Sequence, residues 1–599
     1  MLQSQMLLSN AYAGATGPHN GPMGSKTTPP AWQQWLPGLV TLRQYRRDWF
    51  IHDLVAGLVL TAILVPVGMG YAEASGVPAI YGLYATIVPL IAYALFGPSR
   101  IMVLGPDSTL AAVIAALILP LAAGSVERAV ALAGMLAILS GCCSLLIGFA
   151  RLGLVADLIS KPIRIGFMNA IALTVLVGQL PKIFGFQVRA DDLPERTLSL
   201  LRGIAEGRTN AVALAVGGGC LAIILVARHY RPQWPGILIA VVLATLVSAE
   251  LELARGAHLA VVGNLPHGLP AFRIPQVTLD DIIRLVPGAL IIALLSFADT
   301  SVLSRSLAQR GGYRVNQNQE MVALGMANLA AGLFQGFSIS SSASRTPVAE
   351  SAGARTQVTG LVGALAIALL LLFAPKLLRD LPSAALGAVV VAACLSFADP
   401  RGMWALLRLR PMEFALSVSS FVGVAFVGVI EGIFITIALA MLVLVWNAWH
   451  PYFAVLARVD GIKGFHDVRR HPDGRPVPGL VLFRWDAQLF FANAEIFREQ
   501  VNRAVIEAPT TPRRVVVAAD AITDIDITAA DVLTTLHREL AQQGVELWFA
   551  GLKGPAKDRL RHYGTLAVLG EDFFAPTVGR AVNLYREKFP VDWKDWDEV

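Results

Sequence analysis

Long apolar segments separated by short polar ones fill the first three quarters of this chain. A helix needs about 20 apolar residues to cross roughly 30 Å of hydrocarbon, and most of the segments approach that length. Counting them predicts about fourteen membrane spans, so the expected fold class is an α-helical polytopic membrane protein. The predicted spans lie near residues 53–72, 79–97, 105–122, 127–150, 162–180, 211–228, 234–253, 284–304, 319–336, 344–353, 357–374, 383–398, 412–430 and 431–449.

The pattern changes in the last quarter of the chain, where charged and apolar residues mix as in a soluble domain. Residues 480–491 form strand-like runs, 494–506 has helical spacing, and 515–519 reads as a short buried strand. Alternating strands and helices predict an α/β layer fold. The expected domains are an N-terminal tail over 1–44, a transmembrane domain over 45–452 and an α/β domain over 461–590.

The composition agrees with a membrane protein, since 55% of the residues are hydrophobic and 15% are charged. No run of Lys and Arg alternates with aromatic residues, which argues against a nucleic-acid partner despite the net charge of +6. The four cysteines lie in apolar segments without metal-ligand spacing, so they predict buried thiols and no metal site. Residues 1–30 lack a long apolar core and are interpreted as a cytoplasmic tail.

Basic residues indicate the orientation, because loops rich in Lys and Arg stay in the cytoplasm. With the N-terminus inside, alternation of the spans places the basic loops inside as well, together with the C-terminal domain. The loop over 181–208, which mixes basic and acidic residues, falls outside. The basic residues expected inside are Arg43, Arg46, Arg47, Arg100, Arg151, Lys161, Arg164, Arg228, Arg231, Arg305, Arg310, Arg314, Arg355, Arg401, Arg408 and Arg410.

Two predicted spans are interrupted at matching positions, third in each set of seven. The third span follows Gly105-Pro106, and the tenth is short, over 344–353, after a Ser-rich stretch. Such paired breaks are typical of inverted-repeat transporters, whose site lies between two half-helix N-termini. Free N–H groups and the positive end of a helix dipole attract anions. We therefore predict a 7+7 inverted repeat with an anion site between the breaks.

Polar residues at the first break are candidates for that site. Pro106 suits the first turn of a helix because it needs no N–H there, and Ser108 and Thr109 add hydroxyl groups. The alternative is a plain kinked span. The matched break in the second half favours the binding site.

Arg345 follows the second break, within a polar string between apolar spans. Ionisable residues at membrane depth are costly and are functional candidates by default. The alternative is a structural ion pair with Glu350, Asp299 or Asp107. Either way, Arg345 is expected near the site.

Asp299 lies midway along the eighth predicted span. It is a candidate for binding the coupling ion, either a proton or, together with Thr300, sodium. The alternative is an ion pair with Arg305 or Arg345. Asp107 would repel an anion nearby, so we expect it either to titrate during transport or to point away.

The run from Asp53 to Ala72 closely resembles the first-span signature of the sulfate permease (SulP) anion transporters. Residues 318–328, and the residues from Ser344 to Gln357, follow in family order and spacing. The resemblance covers about residues 45–590. It implies seven plus seven inverted spans, a mobile core moving elevator-like against a gate, and a homodimer. The substrate neighbours that it implies are Tyr71, Ser108, Thr109, Ser344 and Arg345.

The resemblance also implies roles for two further positions. Asp299 lies where many SulP relatives have an acidic residue linked to proton or cation coupling. The glutamine that usually follows the first-span proline is Val67 in this chain. Because this change removes a hydrogen-bond donor near the cargo, bicarbonate or a dicarboxylate is an alternative to sulfate.

The segment from Asp524 to Asp531 and the elements after it resemble a STAS domain, the expected cytoplasmic appendage of SulP proteins. Thr528 takes the place of the hydroxyl residue that is phosphorylated in some bacterial regulatory STAS proteins. It is therefore a regulatory candidate. The alternative, which the residues alone favour, is that Thr528 is a helix N-cap.

These observations predict a secondary active transporter of small anions, most directly sulfate, in the inner (plasma) membrane, coupled to protons or sodium or working by exchange. The sequence contains no G-x-x-x-x-G-K-[ST] loop, the motif that would suggest ATP use. No nucleophile, base and orienting group stand at recognisable spacing, so we expect neither an enzyme nor a cofactor. A nucleobase permease and an uncoupled anion channel remain alternatives, and the STAS domain is a candidate for binding a cytosolic partner.

Overall fold

The computed structural model divides the chain into two compact units, Met1–Ile437 and Ala438–Val599. The predicted tail over residues 1–30 lies outside the described residues, and the domain limits at 44, 452 and 461 stay predictions. The structure describes residues 36–151, 161–188, 193–230, 234–266 and 268–596.

Each apolar segment predicted in the first half of the first unit coincides with a helix. One further helix, α7, lies in the loop predicted over 181–208. A two-residue strand, β1, precedes α4. The elements are α1 Pro37–Arg43, α2 Phe50–Ala74, α3 Ile80–Phe96, β1 Leu104–Gly105, α4 Ser108–Ala122, α5 Val126–Phe149, α6 Lys161–Phe184, α7 Leu193–Ala205, α8 Ala211–Tyr230, α9 Gly236–Glu250 and α10 Leu253–Gly256.

The second half starts with the long helix α11, whose limits can be read from its residues. Thr278 and Asp281 form a capping box at its start, and Gly312 takes the left-handed conformation, φ +67°, at its end. The elements are α11 Leu279–Gly311, α12 Gln317–Leu333, β2 Ser340–Ser341, α13 Arg345–Ser351, α14 Val358–Phe373, α15 Ser383–Phe397, α16 Pro400–Leu409, α17 Pro411–Val422 and α18 Val429–Trp449, which continues into the second unit after Ile437.

Many of these helices suit a lipid environment. Among the described residues, 7 helices are long and apolar enough to cross a membrane, and shorter apolar helices of 10–17 residues accompany them. Large apolar side chains such as Phe373, which is 80% exposed, cover their outer faces. The chain is therefore an integral membrane protein of mainly helical fold. The count of fourteen spans and the inverted repeat stay predictions.

The helices of the first unit pack as two groups. The first helix group comprises α2 to α5 and α11 to α14, and the second comprises α6, α8, α9, α15 and α17. Within the first group, α5 and α12 approach so closely that a Cβ on Gly141 would lie 2.8 Å from the Gly325 carbonyl oxygen. Small residues permit such contacts between membrane helices. Cys142, one residue further along α5, is exposed and Cys143 is half-buried, so the prediction of buried thiols is wrong for these two, although Cys220 and Cys394 are buried.

The second unit is an α/β layer built on a six-stranded sheet of order β4-β3-β5-β6-β7-β8. β3 pairs antiparallel with β4 and β5, and the strands from β5 to β8 run parallel. Alternate residues of β5 belong to separate apolar cores, so helices cover both faces of the sheet. The elements are β3 Phe453–Arg458, β4 Phe465–Asp467, β5 Leu480–Trp485, α19 Ala494–Ile506, β6 Arg514–Ala518, α20 Ile527–Gln542, β7 Glu546–Ala550, α21 Gly554–His562, α22 Thr565–Leu569, β8 Phe574–Ala575 and α23 Val578–Lys588.

Candidate functional site

The two predicted chain breaks lie side by side in the first unit. β1 and β2 pair antiparallel, with Leu104 opposite Ser341, and the N–H of Ser342 donates to the carbonyl of Val103 at 2.9 Å. α4 begins three residues after β1, and α13 begins four residues after β2. The strand pairing therefore brings the N-terminal ends of these two helices together.

Asp107 caps the start of α4. Its carboxylate accepts hydrogen bonds from the backbone N–H and the hydroxyl of Thr109, at 3.0 and 2.6 Å, and it is the N-cap of the helix. The prediction that Pro106 occupies the first helical turn is therefore wrong, because Pro106 precedes the cap. The Asp107 carboxylate points to its own helix, and Thr109 keeps only its lone pairs for other contacts.

Arg345 is 2% exposed and holds the two breaks together. Its Nη2 donates to the carbonyl oxygen of Pro106 at 2.6 Å, and its Nε donates to Ser342 Oγ at 2.8 Å. Glu350 instead pairs with Arg310, at 3.1 Å, so the alternative of an Arg345–Glu350 ion pair is wrong.

The Nη1 nitrogen of the Arg345 guanidinium remains open, with both of its N–H groups. Nη1 is buried and has no hydrogen-bond partner among the described residues. Gly105 lies against it, since a Cβ built there would be 3.1 Å from Nη1. Buried donors are almost always paired in folded proteins. The open donor therefore indicates a place for an acceptor.

Tyr71 on α2 completes this neighbourhood from a third element. It is 5% exposed. Its hydroxyl interacts electrostatically with the charges of Asp107 and Arg345 and with the hydroxyl of Ser108. Ser344 is exposed, and its Oγ lies 3.3 Å from Ser342 Oγ. The structure thus brings together Tyr71, Ser108 and Arg345, with Ser344 linked to them through Ser342.

Asp299 and Thr300 on α11 serve different neighbours. The fully buried Thr300 donates its hydroxyl to Ser341 Oγ at 3.1 Å. Asp299 is half-buried, and its carboxyl group interacts electrostatically with Asp107 and Arg164. Within the described residues it makes neither of the ion pairs, with Arg305 or Arg345, that were its structural alternative. Its role in coupling stays a prediction.

Asn328 on α12 positions β2, a role that the sequence did not predict. Its Oδ1 accepts from the N–H of Ile339 at 2.8 Å, and its Nδ2 donates to the carbonyl oxygens of Ile339 and Leu324 at 3.1 Å. The side chain thereby pairs both backbone groups of the residue before β2. A polar amide inside an apolar helix was the available signal.

Glu320, also on α12, positions the approach to β1. It is fully buried and accepts hydrogen bonds from the Tyr93 hydroxyl, at 2.7 Å, and from the Ser99 hydroxyl. Gln357 donates from the other side to the carbonyl oxygens of Ser99 and Met102, both at 2.9 Å. These bonds fix the segment that leads into β1.

The regulatory candidate Thr528 lies in the second unit, exposed near the start of α20. The alternative that it is the N-cap is wrong, because Asp526 takes that place and accepts from the N–H of Ala529 at 2.8 Å. The Thr528 hydroxyl is therefore not needed for capping. Its regulatory role stays a prediction.

Comparison with known proteins covers both units. Residues 50–420 match the sulfate permease family, and residues 471–581 match the STAS domain. A probable sulfate transporter of Mycobacterium tuberculosis is 38% identical over 555 residues, which cover 92% of this chain and 98% of that protein.

Two solved structures share the fold, each at 23% sequence identity. The structure of the murine solute carrier 26 family member A9 anion transporter, in the inward-facing state, has a TM-score of 0.85 and covers 97% of this chain and 98% of its own. The transmembrane domain of a cyanobacterium bicarbonate transporter has a TM-score of 0.57 and covers 66% of this chain and 98% of its own.

The ends of two helices brought together by β1 and β2, beside a buried arginine with an open Nη1, form a site that suits an anion within a helical membrane unit. The second unit adds a STAS domain at residues 471–581. The chain belongs to the sulfate permease family.

Proposed function

We propose that this chain is a secondary active transporter that carries sulfate with protons, by symport or exchange. The first helix group moves as an elevator against the second, and the working unit is a homodimer. It resides in the inner (plasma) membrane, with the N-terminus and the STAS domain in the cytoplasm. The mycobacterial relative named a probable sulfate transporter supports the choice of cargo.

The observation that carries this proposal is the open Nη1 of Arg345. A buried cation with a free donor, beside the N-terminal end of α4, offers both charge and hydrogen bonds to an oxyanion. Tyr71, Pro106, Ser108, Thr109 and Ser344 form its surroundings in this proposal. An oxyanion there would accept the hydrogen bond from Arg345 Nη1, which has no acceptor within the described residues.

Asp299 is the proposed coupling residue, with Asp107 and Thr300 as its neighbours at the site. It makes no hydrogen bond or ion pair within the described residues, so protonation would not break a structural contact. The charges of Asp107 and Arg164 act on it, which supports a link between its charge and the occupancy of the site.

Bicarbonate is the second candidate cargo, because of Val67. This residue is 5% exposed and precedes Tyr71 by four positions on α2, so both lie on the same side of the helix. An apolar side chain there offers no hydrogen bond to a cargo. The fold shared with a bicarbonate transporter is consistent with this choice.

The test is uptake of labelled sulfate into proteoliposomes that contain the purified chain, with and without an inward proton gradient. Bicarbonate and fumarate serve as competitors, and labelled uracil tests for a nucleobase permease. Saturable sulfate uptake that the gradient increases is the expected result. Sulfate exclusion combined with bicarbonate flux would assign the second cargo, and unsaturable current without coupling would make the chain a channel.

Arg345→Ala should lower sulfate uptake about a hundredfold, because truncating one partner of a buried charged contact costs roughly 2–5 kcal/mol. Arg345→Lys should recover part of the loss through its charge. Arg284→Ala is the matched control, since Arg284 is exposed and pairs with Asp280 at 2.9 Å on α11. Full uptake by folded Arg345→Ala protein would refute the proposed site.

A further inference from the structure

A polar cavity lies at the antiparallel end of the sheet in the second unit. It is open to the surface, has a volume of about 350 Å³, and lies between the start of β3, β4 with the turn that follows it, and the end of β5. Aromatic, basic and acidic side chains share its wall. The lining residues are Tyr452, His466, Asp467, Arg470, His471, Arg484 and Asp486.

The two carboxylates of the cavity are already engaged by the protein. Asp486 pairs with Arg484 at 3.1 Å, and Asp467 accepts hydrogen bonds from the Tyr452 hydroxyl and the Arg469 N–H. Burial acts to raise the pKa of Asp467, but these hydrogen bonds and the charges of Arg469 and Arg484 bring it below its usual value. Asp467 is therefore an ionised acceptor that orients Tyr452.

Arg470 is a cation in the cavity wall that has no carboxylate partner among the described residues. Its guanidinium lies over the Tyr452 ring, 5.9 Å from the centroid, and makes no hydrogen bond or ion pair within the described residues. The Arg484 guanidinium lies 5.8 Å from the centroid of the same ring. Two arginines thus share one aromatic wall, and one of them retains its full set of donors.

Two histidines line the cavity beside these arginines, and His471 adds an N–H donor that is free among the described residues. The rings of His466 and His471 are in edge contact with centroids 5.5 Å apart. His466 Nε2 lies 3.1 Å from the Lys463 carbonyl oxygen, and the His471 ring makes no hydrogen bond within the described residues. Guanidinium and imidazole N–H groups facing one cavity match the acceptor oxygens of a phosphate group.

The cavity residue Tyr452 follows closely in sequence on α18, an apolar helix whose end is expected at a membrane surface. α18 ends at Trp449, and the rings of Trp446, Trp449 and His450 contact one another at its end. Aromatic residues at the end of an apolar helix mark the membrane interface. Tyr452 follows Trp449 by three residues, which span at most about 11 Å. That distance is close to the Debye length of about 8–10 Å, so surface charge is felt there.

We propose that this cavity binds a phosphate group through Arg470, with Arg484 and His471 as further donors and His466 beside them. Its place next to the end of α18 favours the phosphate of an anionic lipid headgroup. Free phosphate in solution offers the same chemistry. This binding site is independent of the transport site and does not depend on the identity of the cargo.

The experiment measures how fast diethyl pyrocarbonate modifies His466 and His471 in the full chain, followed peptide by peptide by mass spectrometry. The chain is placed in nanodiscs of phosphatidylcholine alone, of phosphatidylcholine with inorganic phosphate added, or of phosphatidylcholine mixed with phosphatidylglycerol. His562, which is exposed in the same domain, is the internal reference. At a phosphate concentration ten times Kd, modification should slow about tenfold.

Arg470→Gln should raise the phosphate concentration for half-maximal protection about tenfold, the loss expected for one charged hydrogen bond. His471→Gln tests the same wall, with protection read at His466. Arg475→Gln is the matched control, because Arg475 pairs with Asp460 at 2.6 Å outside the cavity. It should keep the protection of the unaltered chain.

Protection by phosphatidylglycerol identifies the lipid as the source, whereas protection by inorganic phosphate alone keeps the site and assigns it a soluble ligand. Equal modification rates in all three nanodisc samples would overturn the proposal. An equal loss in Arg470→Gln and Arg475→Gln would also overturn it, since that result means general surface charge and not a built site.

Discussion

Arg345 uses two of its five N–H donors on the protein and leaves both N–H groups of Nη1 open. Nη2 and Nε hold Pro106 and Ser342, while Nη1 is buried without a partner in the described residues. An unpaired buried donor costs about 1–3 kcal/mol. The same side chain therefore joins the two chain breaks and presents the group that an oxyanion would satisfy.

Asp299→Asn should leave sulfate binding in place and remove its dependence on protons, because an amide cannot take up the coupling proton. The ratio of uptake with and without the proton gradient should fall to unity. Asp280→Asn, the same chemical change at an exposed position of α11, should keep the gradient dependence. A gradient dependence that survives in Asp299→Asn contradicts the coupling role.

Glu320→Ala should destabilise the first unit and slow sulfate uptake, because two buried hydroxyls, of Tyr93 and Ser99, lose their acceptor. Each loss costs about 1–3 kcal/mol. Thermal unfolding in detergent and the Vmax of uptake measure the effect, and Glu320→Gln should recover part of it. Glu127→Ala, at an exposed position, is the control. Identical behaviour of the two Ala variants would show that Glu320 does not position the site.

Sequence reasoning found Arg345 and missed the roles of Glu320 and Asn328 for a physical reason. A charge between apolar spans is visible in the chain itself. The partner of Glu320, Tyr93, lies 227 positions away, and no local pattern pairs them. The capping error at Thr528 is local: Asp526 and Thr528 are both good N-caps, and the backbone selects Asp526.

At the scale of the element, α4 and α13 are short. The chain before each of them forms a strand, β1 or β2, and not further helical turns. Gly105-Pro106 and the Ser-rich stretch indicated these breaks from composition. The pairing of β1 with β2 is a long-range contact that composition does not specify. Its two residues per strand are too short for an alternation pattern to show.

Gly141→Ala should destabilise the α5–α12 pair by about 1–3 kcal/mol, because the new Cβ would lie 2.8 Å from the Gly325 carbonyl oxygen, and backbone cannot yield as a side chain does. Gly218→Ala on α8 is the control, since a Cβ there meets nothing within 4 Å. Thermal unfolding of both variants in detergent is the measurement. Equal midpoints would contradict a close backbone contact.

At the scale of the whole molecule, two helix groups face one another within the first unit. α2 of the first group packs against α9 and α15 of the second. Glu73 on α2 and Lys182 on α6 form an ion pair at 2.9 Å, with side chains 18% and 28% exposed. In the proposed elevator movement, an ion pair between the two groups stabilises the arrangement in which it forms.

Lys182→Glu should change the rate of sulfate uptake about three- to tenfold, because two carboxylates then face each other between the groups. Glu73→Lys should have a similar effect, and the double exchange Glu73→Lys/Lys182→Glu should restore uptake. The double-mutant cycle isolates the pair. A double variant as impaired as the single ones would mean that the contact does not govern movement of the groups.

Hydropathy located the helices well at this scale, since every predicted apolar segment coincides with a helix. It did not show how the helices divide into two groups. That division depends on contacts such as Gly141 with Gly325, where the absence of a side chain carries the information. The predicted spans therefore needed the structure before a site could be placed among them.

The pairing of β1 with β2 also sets an order for biogenesis. Pro106 and Arg345 are 239 positions apart, which a ribosome working at about 5–20 residues per second takes roughly 10–50 s to cover. During that interval, the first half of the chain lies in the bilayer with the polar start of α4 lacking its later partner. Newly made protein therefore depends on the insertion machinery, or on early helix neighbours, to shield this end until the second half arrives.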